Sequence, residues 1–177
     1  MVAVTGSTML LLTLIGKASA QGSWCAAVGR PDLGMAAAAE AGVELSRFAL
    51  VPHPGERWAD VVGALIDGFD VIILNPPSAP TDRLAAGLAA RARQRGTILL
   101  PTSGSWPGAD LTMSVEQRTW HGLGLGHGRL RYCDLEVSAR GRGSAGRPRQ
   151  ATIRLPLGAG PLIPQEQQPT RRHLRAV

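Results

Sequence analysis

Val2-Ala3-Val4-Thr5-Gly6-Ser7-Thr8-Met9-Leu10-Leu11-Leu12-Thr13-Leu14-Ile15 opens the chain, and its reading decides the fold. Val2-Ala3-Val4 suits a short strand, and Thr5-Gly6-Ser7 ends it. From Thr8 to Ala20 the chain is apolar nearly all round, as expected of a helix packed deep on a sheet. Trp24 to Val28 then makes a second strand. A strand, a helix and a strand, complete by Gly29, predict an α/β protein with a mostly parallel sheet covered by helices.

The same stretch imitates a signal peptide. Leu10 to Ile15 is an apolar run, and Ala18-Ser19-Ala20 has the small residues of a cleavage site. No Lys or Arg precedes the run, and it is too short to cross a bilayer. The expectation is therefore a cytoplasmic protein with no membrane partner.

Working outward, the alternation continues. Asp32 is expected to cap a second helix through Ala36 to Ala39, with Gly42 as its stop. Phe48 to Val51 predicts a third strand, closed by Pro52-His53-Pro54-Gly55. Trp58, Val61, Val62, Leu65 and Ile66 recur at helical spacing. Phe69 to Leu74 is nearly continuous and apolar, which predicts a central strand buried on both faces. Thr81 to Gln94 predicts another helix, with Arg91, Arg93 and Arg95 near its last turn, where cations suit the helix dipole. Thr97 to Leu100 predicts a fifth strand, and Pro101 to Gly108 a loop containing Trp106.

Beyond this point the pattern changes. Leu111 to Val115, Leu130 to Val137 and Thr152 to Leu157 predict an antiparallel β extension, with a Gly- and Arg-rich turn from Arg140 to Arg149. Residues 1–160 are expected to form one domain, and 161–177, rich in Pro and Gln, a flexible tail.

The chain has 177 residues and a net charge of +6, and the charge is unevenly placed. Met1 to Thr112 carries 8 basic and 9 acidic residues, whereas Met113 to Val177 carries 11 and 4. A basic C-terminal third admits nucleic acid as a partner through Arg129, Arg131, Arg140, Arg142, Arg147 and Arg149. Arg-rich composition without lysine, apart from Lys17, is the alternative source of that charge. Two distant cysteines, Cys25 and Cys133, exclude a zinc knuckle and a disulfide scaffold and fit a reducing compartment. His121 and His127 flank alternating glycines with no Cys, Asp or Glu between them, so a metal site is not expected there. The glycines suit a close approach to another surface.

A strand entering a glycine turn and a helix invites a phosphate-loop reading. Such a loop needs several backbone N–H groups, a lysine, and a hydroxyl on magnesium. Here Gly6, Ser7 and Thr8 are a remnant, because the helix begins at once. Gly16-Lys17-Ala18-Ser19 lies inside that helix. At the end of the central strand, where a metal-binding carboxylate belongs, stands Asn75, whose neutral amide cannot replace that charge. Glu56 in Pro54-Gly55-Glu56 is a vestigial water-activating glutamate or a charge in a helix's first turn. No cofactor and no catalysis are expected. Trp106 and Trp120, outside the predicted elements or at their ends, are either core residues or partner-facing anchors.

Set in order, these segments resemble the recombinase core of RecA. Gly6-Ser7-Thr8 and its helix resemble the P-loop helix, and Gly22-Ser23-Trp24-Cys25-Ala26 the strand after it. Ala41-Gly42-Val43-Glu44-Leu45 resembles the passage before the third strand. Pro54-Gly55-Glu56 resembles the segment of the catalytic glutamate, and Phe69 to Leu74 the Walker B strand. The degenerate pattern, with Trp120-His121-Gly122-Leu123-Gly124 and the Arg-rich hairpin after it, is similar to the actinobacterial ImuA-prime type of mutasome accessory protein. That resemblance implies a non-catalytic role in SOS-induced translesion mutagenesis after DNA damage, near the nucleoid. The implied partners are an ImuB-type Y-family pseudo-polymerase and, through it, an error-prone C-family polymerase, with single-stranded DNA or RecA as further candidates. It also implies a native segment before the first strand. The tail residues Arg171, Arg172, Leu174 and Arg175 are expected to order on a partner. Competing readings are a SulA-like cell-division inhibitor and a DNA-binding accessory protein.

Overall fold

The computed structural model describes residues 1–103, 106–123, 128–142 and 146–157. His127 and His173, and the tail residues Arg171, Arg172, Leu174 and Arg175, lie outside the described residues.

The opening segment folds as its pattern demands, with β1 at Val2–Thr5, α1 at Thr8–Ala20 and β2 at Cys25–Val28. The short helix α2 spans Met35–Glu40, a 3-10 turn covers Leu45–Arg47, and β3 is Phe48–Val51. Then come α3 at Trp58–Ile66, β4 at Val71–Leu74, α4 at Asp82–Arg95 and β5 at Ile98–Pro101. Next come β6 at Leu111–Leu123, β7 at Gly128–Gly141 and β8 at Arg149–Pro156.

Strands β3-β2-β4-β5 pair in that order, all parallel. A second sheet, β1-β6-β7-β8, joins β6 to β1 in parallel, while β7 runs against both β6 and β8. β1 lies alongside β5, which brings the sheets edge to edge. The expected mostly parallel sheet with an antiparallel extension is thus present.

Period-two alternation along the strands makes two cores. Cys25, Ala27, Val71 and Ile73 face α1 and α2, in one cluster with Leu10, Leu11, Ile15, Cys133, Leu135 and Leu155. Ala26, Val28, Ile72 and Leu74 face α3 and α4, in a second cluster with Trp58, Val62 and Leu88. Strands buried on both faces need apolar residues at every position, which explains the unbroken run at β4. Leu10 to Ile15, the stretch that imitates a signal sequence, is core: Leu10, Leu11, Leu12 and Ile15 are buried.

Four expectations are corrected. Asp32 does not cap α2; Gly34 occupies the cap without a side-chain bond, because the Asp32 carboxylate is held by Arg30 instead. Trp106 is not a partner-facing anchor. It is buried, edge-to-face on Trp58 with ring centroids 6.3 Å apart, because the α3–α4 core needs a large side chain there. β6 does not stop at Val115 but continues to Leu123, so Trp120 and His121 lie within a strand rather than in a loop. Lastly, Arg140 lies within β7 and Arg149 opens β8, so the Arg-rich turn is shorter than expected.

The continuation of β6 depends on a bulge. Val115 pairs with Val137, but Gln117 pairs with Glu136, so Glu116 is an extra residue. The bulge reverses the facing of the residues after it. It puts Arg118 opposite Leu135 and Trp120 opposite Cys133, on the face that α1 covers lower down. Since β1 ends opposite Ser114, the β6–β7 arm runs roughly 25–30 Å beyond it at the rise of an extended chain.

Replacing Leu135 with Ala is expected to cost about 2–5 kcal/mol, the range for a cavity in a packed core. Leu123→Ala, at a side chain 66% exposed, should change stability by less than about 0.5 kcal/mol. Urea denaturation of the two variants checks this contrast.

Candidate functional site

The carboxyl ends of β1, β2, β4 and β5 converge on a cleft of about 480 Å³, lined by Gly6, Ser7, Thr8, Arg30, Asn75 and Thr102 among others. Ligands in open α/β sheets bind at this edge, and Gly6, Ser7, Thr8 and Asn75 all border it.

Only Gly6 and Ser7 separate β1 from α1. Gly6 has φ +85°, and a Cβ there would stand 3.0 Å from the Val115 carbonyl oxygen. The turn is therefore pressed against β6. Ser7 is the cap of α1, its hydroxyl accepting from Leu10 N at 3.1 Å. The Arg118 guanidinium donates to the Gly6 carbonyl, and Thr5 Oγ1 lies 3.2 Å from Ser114 Oγ. The Gly6 carbonyl and the Thr5 hydroxyl are thus tied to β6, and the Ser7 hydroxyl to the helix it caps.

On the other side of the cleft, β2 leads through Gly29, at φ +72°, into Arg30. Arg30 is 8% exposed. It grips Asp32 with two bonds of 3.0 and 2.9 Å and donates to Thr8 Oγ1 at 2.9 Å. The Arg30 bond holds the Asp32 carboxyl below its ordinary range, so this cation is already neutralised. Asn75 Nδ2 donates to the Gly29 carbonyl at 3.1 Å. A Cβ on Gly29 would meet the Asn75 carbonyl oxygen at 1.9 Å. Asn75 thus ties β4 to β2, work that its amide can do and a carboxylate cannot.

Glu56 and Lys17 lie away from the cleft. Glu56 is exposed in the turn before α3 and does not line the cleft. Lys17 sits nine residues along α1 from Thr8, roughly 14 Å at the helical rise. Its neighbour Gly16 is explained by packing, since a Cβ there would lie 2.0 Å from the Ala41 carbonyl oxygen.

All six arginines of the expected basic surface are exposed, but they do not form one patch. Arg129 and Arg131 lie toward the tip of the arm, whereas Arg140, Arg142, Arg147 and Arg149 lie at the opposite end of β7 and the start of β8. Arg129 and Arg140 stand roughly 35 Å apart along the strand. Sequence reasoning missed Arg30, Asp32 and Arg118 as members of the cleft. The signal available was an Arg directly after the strand-ending glycine of β2.

The outer face of the arm carries a separate polar cluster. His121 stacks on Tyr132 with centroids 4.6 Å apart, and the Arg154 guanidinium lies 4.1 Å from the Tyr132 ring centre. Arg154 binds Asp134 with two bonds of 2.7 and 2.8 Å. His121 Nε2 lies 3.1 Å from Asp134 Oδ2, but out of line for a hydrogen bond. The Arg154 bonds hold the Asp134 carboxyl below its ordinary range. Among the described residues, no three His, Cys, Asp or Glu side chains gather as a metal site would require. Burial raises the Cys25 and Cys133 thiols, which suits packing rather than reactivity.

Residues 1–108 match the family described as the MT3502 N-terminal domain. The chain is also 35% identical over 147 residues to Rv3395c of Mycobacterium tuberculosis (strain ATCC 25618 / H37Rv), a protein described as uncharacterized; the similarity covers 78% of this chain and 72% of that protein.

Asn75→Asp, which restores a carboxylate at the strand end, is expected to destabilise by about 1–3 kcal/mol, because it sets two acceptors against each other. Thermal melts check it, and an unchanged Tm would contradict the role given to Asn75. The Asp134 carboxyl has a folded pKa below its unfolded value near 3.9. Its contribution is therefore complete above that value and is lost as pH falls through the folded one. The stability gap between the wild-type chain and Arg154→Ala should accordingly narrow as the pH drops below about 4, as acid titration of the two proteins would show.

Proposed function

We propose that this chain, which belongs to the MT3502 N-terminal domain family, is a RecA-like domain of the ImuA-prime type that serves as a non-catalytic adaptor in SOS-induced translesion mutagenesis. Its partner in this reading is an ImuB-type Y-family pseudo-polymerase and, through it, an error-prone C-family polymerase. The observation that carries the reading is the closed crest of the sheet. The turn between β1 and α1 has two residues and is clamped by Arg118, while Asn75 and Arg30 are engaged with Gly29 and Asp32. Phosphoryl transfer needs a cradle of backbone donors, a cation that grips the phosphates, and a carboxylate for magnesium. Here the two-residue turn carries no lysine, Arg30 is engaged with Asp32, and the amide of Asn75 stands at the strand end bonded to Gly29.

A fold that keeps its sheet and both helical layers but uses its crest for internal bonds is suited to offering surfaces to other proteins. The split of the arginines toward opposite ends of β7 favours this reading over a single nucleic-acid track. Among the described residues, no helix is long and apolar enough to cross a membrane. Action in the cytoplasm, beside the nucleoid after damage, belongs to the same proposal.

Two measurements test it. Calorimetry with ATP and magnesium is expected to give no binding heat; saturable micromolar binding would overturn the account of the crest. Purified full-length chain is expected to retain the pseudo-polymerase in a pull-down. A version ending at Gly160 should lose it to the extent that Arg171, Arg172, Leu174 and Arg175 contribute, and equal recovery would remove the tail from the interface.

A further inference from the structure

Trp120 sits opposite the buried Cys133, yet is 48% exposed. The bulge at Glu116 turns it toward the core face at a height that α1 no longer covers, so it becomes one wall of the cleft. Arg118 is two residues back on the same face, and Arg131 is two residues from Cys133 on the neighbouring strand, also on that face. Val4, Met9 and Leu11 contribute apolar lining, and the positive end of the α1 dipole points in from the side.

Past the bulge, the charged side chains that alternation places on this face of the arm are the cations Arg118, Arg129 and Arg131. The carboxylates of Asp134 and Glu136 belong to the opposite face of the arm, and Asp32 is taken up by Arg30. Trp and Arg are the residue types in which binding energy concentrates at protein interfaces. A single aromatic on this face is poor equipment for stacking successive bases, but it suits an apolar side chain carried on a peptide.

We propose that the cleft between the N-terminal end of α1 and the inner face of the β6–β7 arm docks an acidic segment of a protein partner, with an apolar side chain against Trp120, one carboxylate at the Arg118 N–H groups that Gly6 leaves over, and another at Arg131 farther out on the same face. This rests on the adaptor reading above and specifies which surface that reading uses. The cleft supplies shape and an apolar wall in Trp120, and the two guanidiniums disfavour basic segments by like-charge repulsion.

The test titrates full-length chain with the purified Y-family pseudo-polymerase, measured by interferometry, and in parallel with a single-stranded dT oligomer. Trp120→Ala and the double variant Arg118→Glu/Arg131→Glu are compared with Arg140→Glu, which lies at the far end of β7. Circular dichroism and melting establish that each variant is folded. Loss of affinity for the pseudo-polymerase by about tenfold or more in the first two, with Arg140→Glu unchanged, supports the proposal. A benzoyl-phenylalanine cross-linker at position 120 should then mark a partner segment rich in Asp and Glu. Undiminished binding by the cleft variants overturns the docking proposal and leaves the adaptor reading standing. Failure of the wild-type chain to bind the pseudo-polymerase overturns both. Binding of the dT oligomer that Trp120→Ala abolishes would reassign the face to nucleic acid.

Discussion

Leu10, Leu11 and Ile15 of α1 lie in one apolar cluster with residues of both sheets, from Cys25 and Ile73 on one side to Leu135 and Leu155 on the other. A sheet whose two halves meet edge to edge needs a common cover, and this helix is the cover. Each fully buried leucine contributes roughly 1.5–3 kcal/mol, so the helix contributes more to the fold than any surface ion pair. The constraint is also geometric. α1 starts directly at the end of β1, leaving a two-residue turn of Gly6 and Ser7.

The condition of the crest is set by that start. With no loop to stand away from the sheet, the turn is pressed onto Val115 and clamped by Arg118. The ends of β2 and β4 are joined by Asn75 and Gly29, and Arg30 is shared between Asp32 and Thr8. Polar groups at a partly buried edge need partners, and here they find them within the protein. The space under the arm, bounded by Trp120, stays open.

The arm is a consequence of strand inequality. β6 and β7 are far longer than β1, so they outrun the helix that covers them. Below that point the alternate residues of β7 are Val137, Leu135 and Cys133, all buried; past it they are Arg131 and Arg129, both exposed. The change from apolar to cationic along one face marks where the core stops.

Much of this was legible in the chain alone. The runs at Val2–Val4, Cys25–Val28 and Phe69–Leu74 and the helical spacing from Trp58 to Ile66 specify the α/β layers, because strands buried on both faces and helices with one buried stripe leave distinct periods. The lack of a lysine-bearing loop after Gly6 and the amide at Asn75 were equally plain, since they are matters of residue identity. Tertiary structure alone decided the rest. The bulge at Glu116 hid the second half of β6, because one extra residue breaks the period and Gln117, Arg118 and Thr119 offer no apolar alternation. Trp106 was ambiguous until Trp58 was placed beside it, and Asp32 until Arg30 claimed its carboxylate. The arginines of the C-terminal third were countable, but their separation toward the ends of β7 depends on register, which hydrogen bonds between distant strands set and local sequence does not.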